Sequence, residues 1–239
     1  MQILKKDLKG YNFLDMGCGI GVFLFTLEKR GAKVFGVDFT PIFTEFAKKY
    51  FNLKNIFVLA FSEFFEKKDL PKFDYITFFE VIEHIDNPQN FIQGVKKLLN
   101  PKGTIILSVP CRERAFVNWE KGDFPRHHLS RWNEESLKYF LEKNNFIVKK
   151  IIYVNPLNFI YQILMSKTSL GFFKKAKKQS IDPLQKKEKK NKIMIGIFYF
   201  LIIFKKIVCY SLAVILFLFS KLLRKKNGGL LCWATLDNK

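Results

Sequence analysis

Acidic residues are scarce in this chain. Its 239 residues carry 21 Asp and Glu against 41 Lys and Arg, a formal net charge of +20. That sign argues against cationic partners and calls for an anionic one, nucleic acid or membrane. Cysteine is equally sparse: Cys18, Cys111, Cys209 and Cys232 stand far apart, which excludes a disulfide framework and leaves reduced thiols. No Cys/His/Asp spacing suggests a metal site, so no metal is expected. Only His84, His127 and His128 are available as imidazole bases. The start has lysines but no apolar run before Tyr11, so a secretory leader is not expected.

What is present is concentrated near the start. Phe13-Leu14-Asp15-Met16-Gly17-Cys18-Gly19-Ile20-Gly21 reads as a buried strand, a glycine loop and the opening of a helix. Glycines at such a junction let a ligand lie against backbone N–H groups at the positive end of the helix. A dinucleotide fingerprint G-x-G-x-x-G fails because Val22 holds its last position, which weighs against a nicotinamide-dependent reductase. The helix is expected from about Ile20 to Arg30, closed by Gly31, and Lys33 to Val37 reads as the second strand. Asp38 ends that strand, where doubly wound sheets bind ligands. It suits either a ligand acceptor or a turn before Thr40-Pro41, which opens the next helix.

Asn55 to Leu59 reads as a third strand, followed by Ala60-Phe61-Ser62-Glu63, and Phe73 to Phe79 as a fourth, running into Glu80-Val81-Ile82-Glu83-His84. Asn87-Pro88 caps a helix to about Leu99. A turn at Asn100-Pro101-Lys102-Gly103 precedes a fifth strand, Thr104 to Val109, and a sixth runs from about Phe146 to Val154. Between them lies Asp123-Phe124-Pro125-Arg126-His127-His128-Leu129-Ser130-Arg131-Trp132, ahead of a helix that Asn133 can cap.

The D-x-G-x-G-x-G loop, the E-V-[IL]-E-H run and the H-H-x-S-R-[WF] run together resemble class I S-adenosylmethionine-dependent methyltransferases, in the branch acting on quinone precursors and sugars. The resemblance covers about residues 11 to 154. It implies an α/β, Rossmann-like doubly wound sheet of seven strands and S-adenosyl-L-methionine as cofactor. It assigns the cofactor to Asp15, Gly17, Cys18, Gly19 and Gly21, with Asp38 on the ribose hydroxyls and Phe39 beside it. Phe61 and Ser62 fall near the adenine, Phe79 and Glu80 near the methionine end. His127 and His128 lie in the loop over the acceptor. They suit either a base toward a hydroxyl or a structural role in holding that loop. His84 is expected to pack or hydrogen-bond near the cofactor. The rival of a binding protein with this fold but no turnover meets an intact set of cofactor residues. An RNA methyltransferase is disfavoured because neither an Asn-Pro-Pro-Tyr-like motif nor a catalytic Cys motif is present.

The C-terminal third differs in composition. Lys167 through Lys192 carries ten lysines against Asp182 and Glu188. Two apolar runs follow, Ile193 to Phe204 and Ile207 to Leu223, split by Lys205-Lys206. A spanning helix needs about 20 apolar residues, so helices lying in the headgroup region or a shallow re-entrant hairpin fit better. Basic flanks keep both ends cytoplasmic. Leu230 to Leu236 has the character of the seventh strand. The expected organisation is therefore a core of 1–154, a basic and apolar helical insertion at 155–229, and a final strand within 230–239. No nucleic-acid motif is visible, so the charge is assigned to a membrane surface. The expected acceptor is small or lipid-linked, and the sequence does not set an oligomeric state.

Overall fold

Strand β1 (Asn12–Met16) buries Phe13, Leu14 and Met16, the pattern of a parallel strand covered on both faces. The computed structural model describes residues 7–113, 125, 127–154, 210–211, 214 and 229–237. In it, β1 lies near the centre of a seven-stranded sheet of order β3-β2-β1-β4-β5-β7-β6. The other strands are β2 (Lys33–Asp38), β3 (Ile56–Val58), β4 (Phe73–Phe79), β5 (Leu99–Pro110), β6 (Phe146–Tyr153) and β7 (Gly229–Leu236). The first five run parallel, and β7 pairs antiparallel with both β5 and β6. The order reverses between β1 and β4, so their carboxyl ends open the crevice in which such sheets bind ligands.

Helices α1 (Val22–Glu28), α2 (Pro41–Phe51), α3 (Phe61–Phe65), α4 (Pro88–Leu98) and α5 (Glu134–Lys143) cover the sheet. Alternation along the strands divides the core. Phe13 and Val34 pack with Leu24, Leu27 and Ala47 of α1 and α2. Leu14, Met16, Phe35 and Val37 pack on the other side, with Phe64, Phe91 and Leu137 of α3, α4 and α5. Two caps follow the sequence closely. Asn87 accepts the Asn90 N–H at 3.0 Å with Pro88 inside the first turn, and Asn133 accepts the Ser136 N–H at 2.8 Å.

Four boundaries differ from expectation. Helix α1 begins at Val22 rather than Ile20 because Gly19 and Gly21 hold left-handed backbone, φ 51° and 80°. Strand β3 is trimmed to Ile56–Val58. The turn expected at Asn100–Gly103 lies inside β5: Lys102 takes φ 62° and the β4–β5 register shifts between Phe73 and Tyr75, so the strand absorbs the kink. The seventh strand begins one residue early, at Gly229, and buries alternate residues Leu230, Cys232 and Ala234.

By its internal contacts the chain divides into a unit of residues 1–154 with 229–239 and a unit of 155–228. The helices expected between Ile193 and Leu223 lie outside the described residues, except that Tyr210, Ser211 and Val214 are helical. Among the described residues, no helix is long and apolar enough to cross a membrane.

Candidate functional site

The glycine loop leaves β1 at the crevice. Gly17 and Cys18 donate backbone hydrogen bonds to the Val37 carbonyl at 2.8 and 3.2 Å, which turns the chain across the end of β2. Two of the glycines are pressed against protein. A Cβ on Gly17 would stand 2.7 Å from Cγ2 of Val81, and one on Gly21 2.8 Å from Leu53 and 2.9 Å from Ala47. A Cβ on Gly19 would meet nothing within 4 Å. The loop therefore has a packed side and an open side, and the open side is where a ligand can lie on bare backbone.

Asp38 stands at the edge of that open side. Its carboxylate accepts the Gly19 N–H at 2.9 Å and the Thr40 N–H at 2.8 Å. The turn role read from the sequence is thus real. It leaves further lone pairs on both oxygens, which is what a pair of ribose hydroxyls needs. Asp15 is deeper. Thr77, its register neighbour on β4, donates to it at 2.6 Å. Burial lifts the Asp15 carboxyl to about 7, against the pull of the Thr77 hydrogen bond and with help from the Asp38 charge. The Asp15 carboxyl is thus tied to β4 beneath the sheet's carboxyl edge. The Cys18 thiol is buried and pushed far up by desolvation and by both aspartates, so it is no nucleophile. Among the described residues, Cys18, Cys111 and Cys232 form no disulfide.

The remaining expected cofactor residues are spread around the same end of the sheet. Phe39 follows Asp38 and is 73% exposed. Phe61 opens α3, half-buried, with its ring 5.4 Å from that of Phe91, and Ser62 beside it is exposed. Phe79 ends β4, edge-on to Phe23 at 5.3 Å. Glu80 takes φ 54°, a left-handed backbone that is costly for a residue with a side chain and recurs at functional sites. Its carboxylate accepts the Ser108 hydroxyl at 2.7 Å.

Beyond Glu80 the structure joins two motifs that are far apart in sequence. A one-turn 3-10 helix, Ile82–His84, carries Glu83 and His84. The Glu83 carbonyl accepts the N–H groups of Leu129 and Ser130, at 2.7 and 3.2 Å, and the His84 ring bonds to the His127 carbonyl. Trp132 donates to the Ser130 hydroxyl at 3.0 Å, and its carbonyl takes the Arg112 N–H at 2.7 Å. His127 is exposed. His128 is half-buried, its ring 4.8 Å from that of His84.

Glu83 is the residue that sequence reasoning left without a role. It is only 1% exposed, and its carboxyl oxygens have no hydrogen-bond partner among the described residues. Burial, with Glu80 nearby, pushes its carboxyl up to about 8. Glu83, His84 and His128 bring ligand atoms within 4.8 Å of one another. One carboxylate and two imidazoles at that separation can pass a proton or hold a divalent cation, a donor set that linear spacing did not disclose. The signal was the second acid of the E-V-I-E-H run.

Known proteins resemble this chain in sequence and in fold. Residues 1–150 match the family described as a methyltransferase domain. The ubiquinone biosynthesis O-methyltransferase of Coxiella burnetii is 35% identical over 103 residues, 42% of this chain and 44% of that protein. The mitochondrial ubiquinone biosynthesis O-methyltransferase of Dictyostelium discoideum is 32% identical over 178 residues, 63% of this chain and 54% of that protein. The chain thus spans about half the length of the curated relatives it matches. Among solved structures, a SAM dependent methyltransferase from Archaeoglobus fulgidus superposes with a TM-score of 0.57 at 20% identity, covering 98% of this chain and 90% of that one. The [4+2]-cyclase SpnF superposes with a TM-score of 0.60 at 14% identity, covering 99% and 80%. At those identities the likeness shows the fold alone, and the fold by itself does not name a reaction.

Proposed function

The chain belongs to the methyltransferase-domain family, as a class I S-adenosylmethionine-dependent methyltransferase, and from that premise we propose that it methylates a hydroxyl of a small or lipid-linked acceptor. The acceptor class is a glycan or a quinone-type phenol, and the reaction takes place at the cytoplasmic face of a membrane. The observation that carries this reading is the junction around Val81. Its side chain packs against Gly17, and the residues just after it hold the 127–130 loop through Glu83 and His84. The histidine pair is thereby tied to the turn that adjoins the glycine loop.

S-adenosyl-L-methionine supplies a methyl group on a sulfonium, already a good leaving group. The open face at Gly19 fits such a nucleoside, since nothing of the protein fills it. Asp38 holds the ribose hydroxyls, Phe61 and Ser62 flank the base, and Phe79 and Glu80 line the methionine end. The chain's remaining work is to align the acceptor oxygen, exclude water and take its proton. His128 is the base in this reading, with His127 supporting the loop through its carbonyl to His84. Oxygen is favoured over nitrogen because a hydroxyl needs that base. The relatives' names point the same way. The membrane placement is supported by the lysine-rich stretch and apolar runs between Lys167 and Leu223.

The test is transfer of radiolabelled methyl from S-adenosylmethionine into lipid and sugar-nucleotide extracts. Label is expected on an oxygen. His127→Ala with His128→Ala should abolish most of it while leaving S-adenosylhomocysteine binding unchanged. Label on an amine, or turnover that survives the double substitution, would remove the hydroxyl-and-histidine reading.

A further inference from the structure

Helix α2 hides little of its apolar surface. Thr44 and Ala47 are its buried residues, while Ile42, Phe43, Phe46 and Tyr50 stand exposed, Ile42 at 70% and Tyr50 at 62%. At about 100° of rotation per residue, those four fall within roughly 100° of arc. Amphipathic helices on a sheet turn such an arc inward. Here that arc faces outward, and the buried side of α2 is the neighbouring Thr44 and Ala47.

The exposed side is an aromatic surface bordered by ammonium groups. The Phe46 ring lies 4.4 Å from Tyr50 and 5.9 Å from Phe51, and Phe51 stacks on Phe25 of α1 at 4.8 Å. The Lys49 ammonium sits 5.5 Å from the Tyr50 ring centroid and that of Lys29 5.3 Å from the Phe25 ring. Over α1 with its C-terminal Lys29 and Arg30, and over α2, the exposed charges are Lys29, Arg30, Lys48 and Lys49 against Glu28 and Glu45, so this pair of helices is net positive. Rings at headgroup depth, with lysine stems reaching outward to phosphates, are the chemistry of a bilayer interface. A protein partner would have to supply an apolar groove and an acidic rim together. A membrane with anionic lipid supplies both without further design. The patch also leads to the site: Phe39, at its start, follows Asp38, whose carboxylate holds Gly19.

We propose that the exposed aromatic face of α2, with its lysine border, docks on an anionic lipid bilayer and brings the mouth of the nucleoside site to the lipid surface. The inference rests on the membrane reading above and adds a contact surface within the methyltransferase core. A greasy acceptor then reaches the crevice along the patch without crossing water.

The experiment uses the full chain and sedimentation with vesicles of phosphatidylcholine alone or mixed with phosphatidylglycerol. Wild type should partition onto the mixed vesicles. Ile42→Ser, Phe46→Ser and Tyr50→Ser combined should weaken that partition about tenfold or more, with S-adenosylhomocysteine affinity unchanged as the check on folding. Partition of the triple variant within about twofold of wild type would overturn the α2 surface while leaving the membrane reading in place. Wild type that ignores both vesicle types would overturn both. If the triple variant loses nucleoside binding as well, Lys29→Gln with Lys49→Gln decides: a severalfold loss on mixed vesicles supports the surface, and no loss overturns it.

Discussion

Replacing Asp38 by Asn keeps the side chain's shape and removes its charge, and the consequences separate into two measurable parts. In the wild type, one oxygen takes the Gly19 N–H at 2.9 Å and the other the Thr40 N–H at 2.8 Å. An amide must turn its NH2 toward one of these donors, leaving that N–H facing another donor. The residue is only 7% exposed, so water cannot readily repair the loss. An orphaned buried donor costs about 1–3 kcal/mol, which should appear as a lower melting temperature without any ligand. The ribose contribution is separate. Hydrogen bonds to a charged acceptor are worth about 1.5–3 kcal/mol, so S-adenosylhomocysteine should bind about ten- to a hundredfold more weakly by isothermal titration calorimetry. If the melting temperature falls but affinity stays within about twofold of wild type, Asp38 only ties the loop together and the ribose assignment is wrong.

The glycine loop offers a paired comparison. Gly21→Ala puts a Cβ against Leu53 and Ala47 at a φ of 80°, and denaturant melts should show a loss of about 2 kcal/mol or more. Gly19→Ala meets no protein atom, so its folding cost should be limited to about 1 kcal/mol of left-handed backbone while nucleoside binding is lost; normal binding would mean that the open side is not the ligand side. Asp15 makes stability pH-dependent. Its folded pKa of about 7 lies above its unfolded one, so the folded chain holds the proton more tightly. The stability from that proton is present at low pH and lost as pH rises through about 7. Urea melts of Asp15→Asn should be flatter than wild type across that window; an unchanged slope would place the titration elsewhere. Deleting Ile193–Leu223 should shift the protein from the membrane fraction to the soluble one, and continued sedimentation with membranes would refute an anchor there.

Much of the core was legible because local rules and tertiary demands coincide there. A strand of Phe13, Leu14 and Met16 can only be central, and three alternating glycines after it can only be a close-approach turn. Leu230, Cys232 and Ala234 alternate as a strand with one buried face must, so even a strand separated from its partners by a long insertion could be recognised. Boundaries were less legible. The helix propensity of Ile20 does not register that left-handed glycines on both sides hold it outside α1, and a strand can swallow a turn-like N-P-K-G by bulging.

The chain's order of residues determined the parallel sheet, the glycine loop with Asp38 behind it, and the C-terminal change to lysine and apolar runs, because each is written in neighbours close along the chain. Folding alone decided the rest. It set which lone pairs of Asp38 are spent on backbone, how deeply Asp15 and Glu83 are buried, and that Glu83 meets His128. It also left the aromatic arc of α2 in the open. Those are matters of distance and desolvation between segments that meet only when the sheet closes, and no local pattern encodes them.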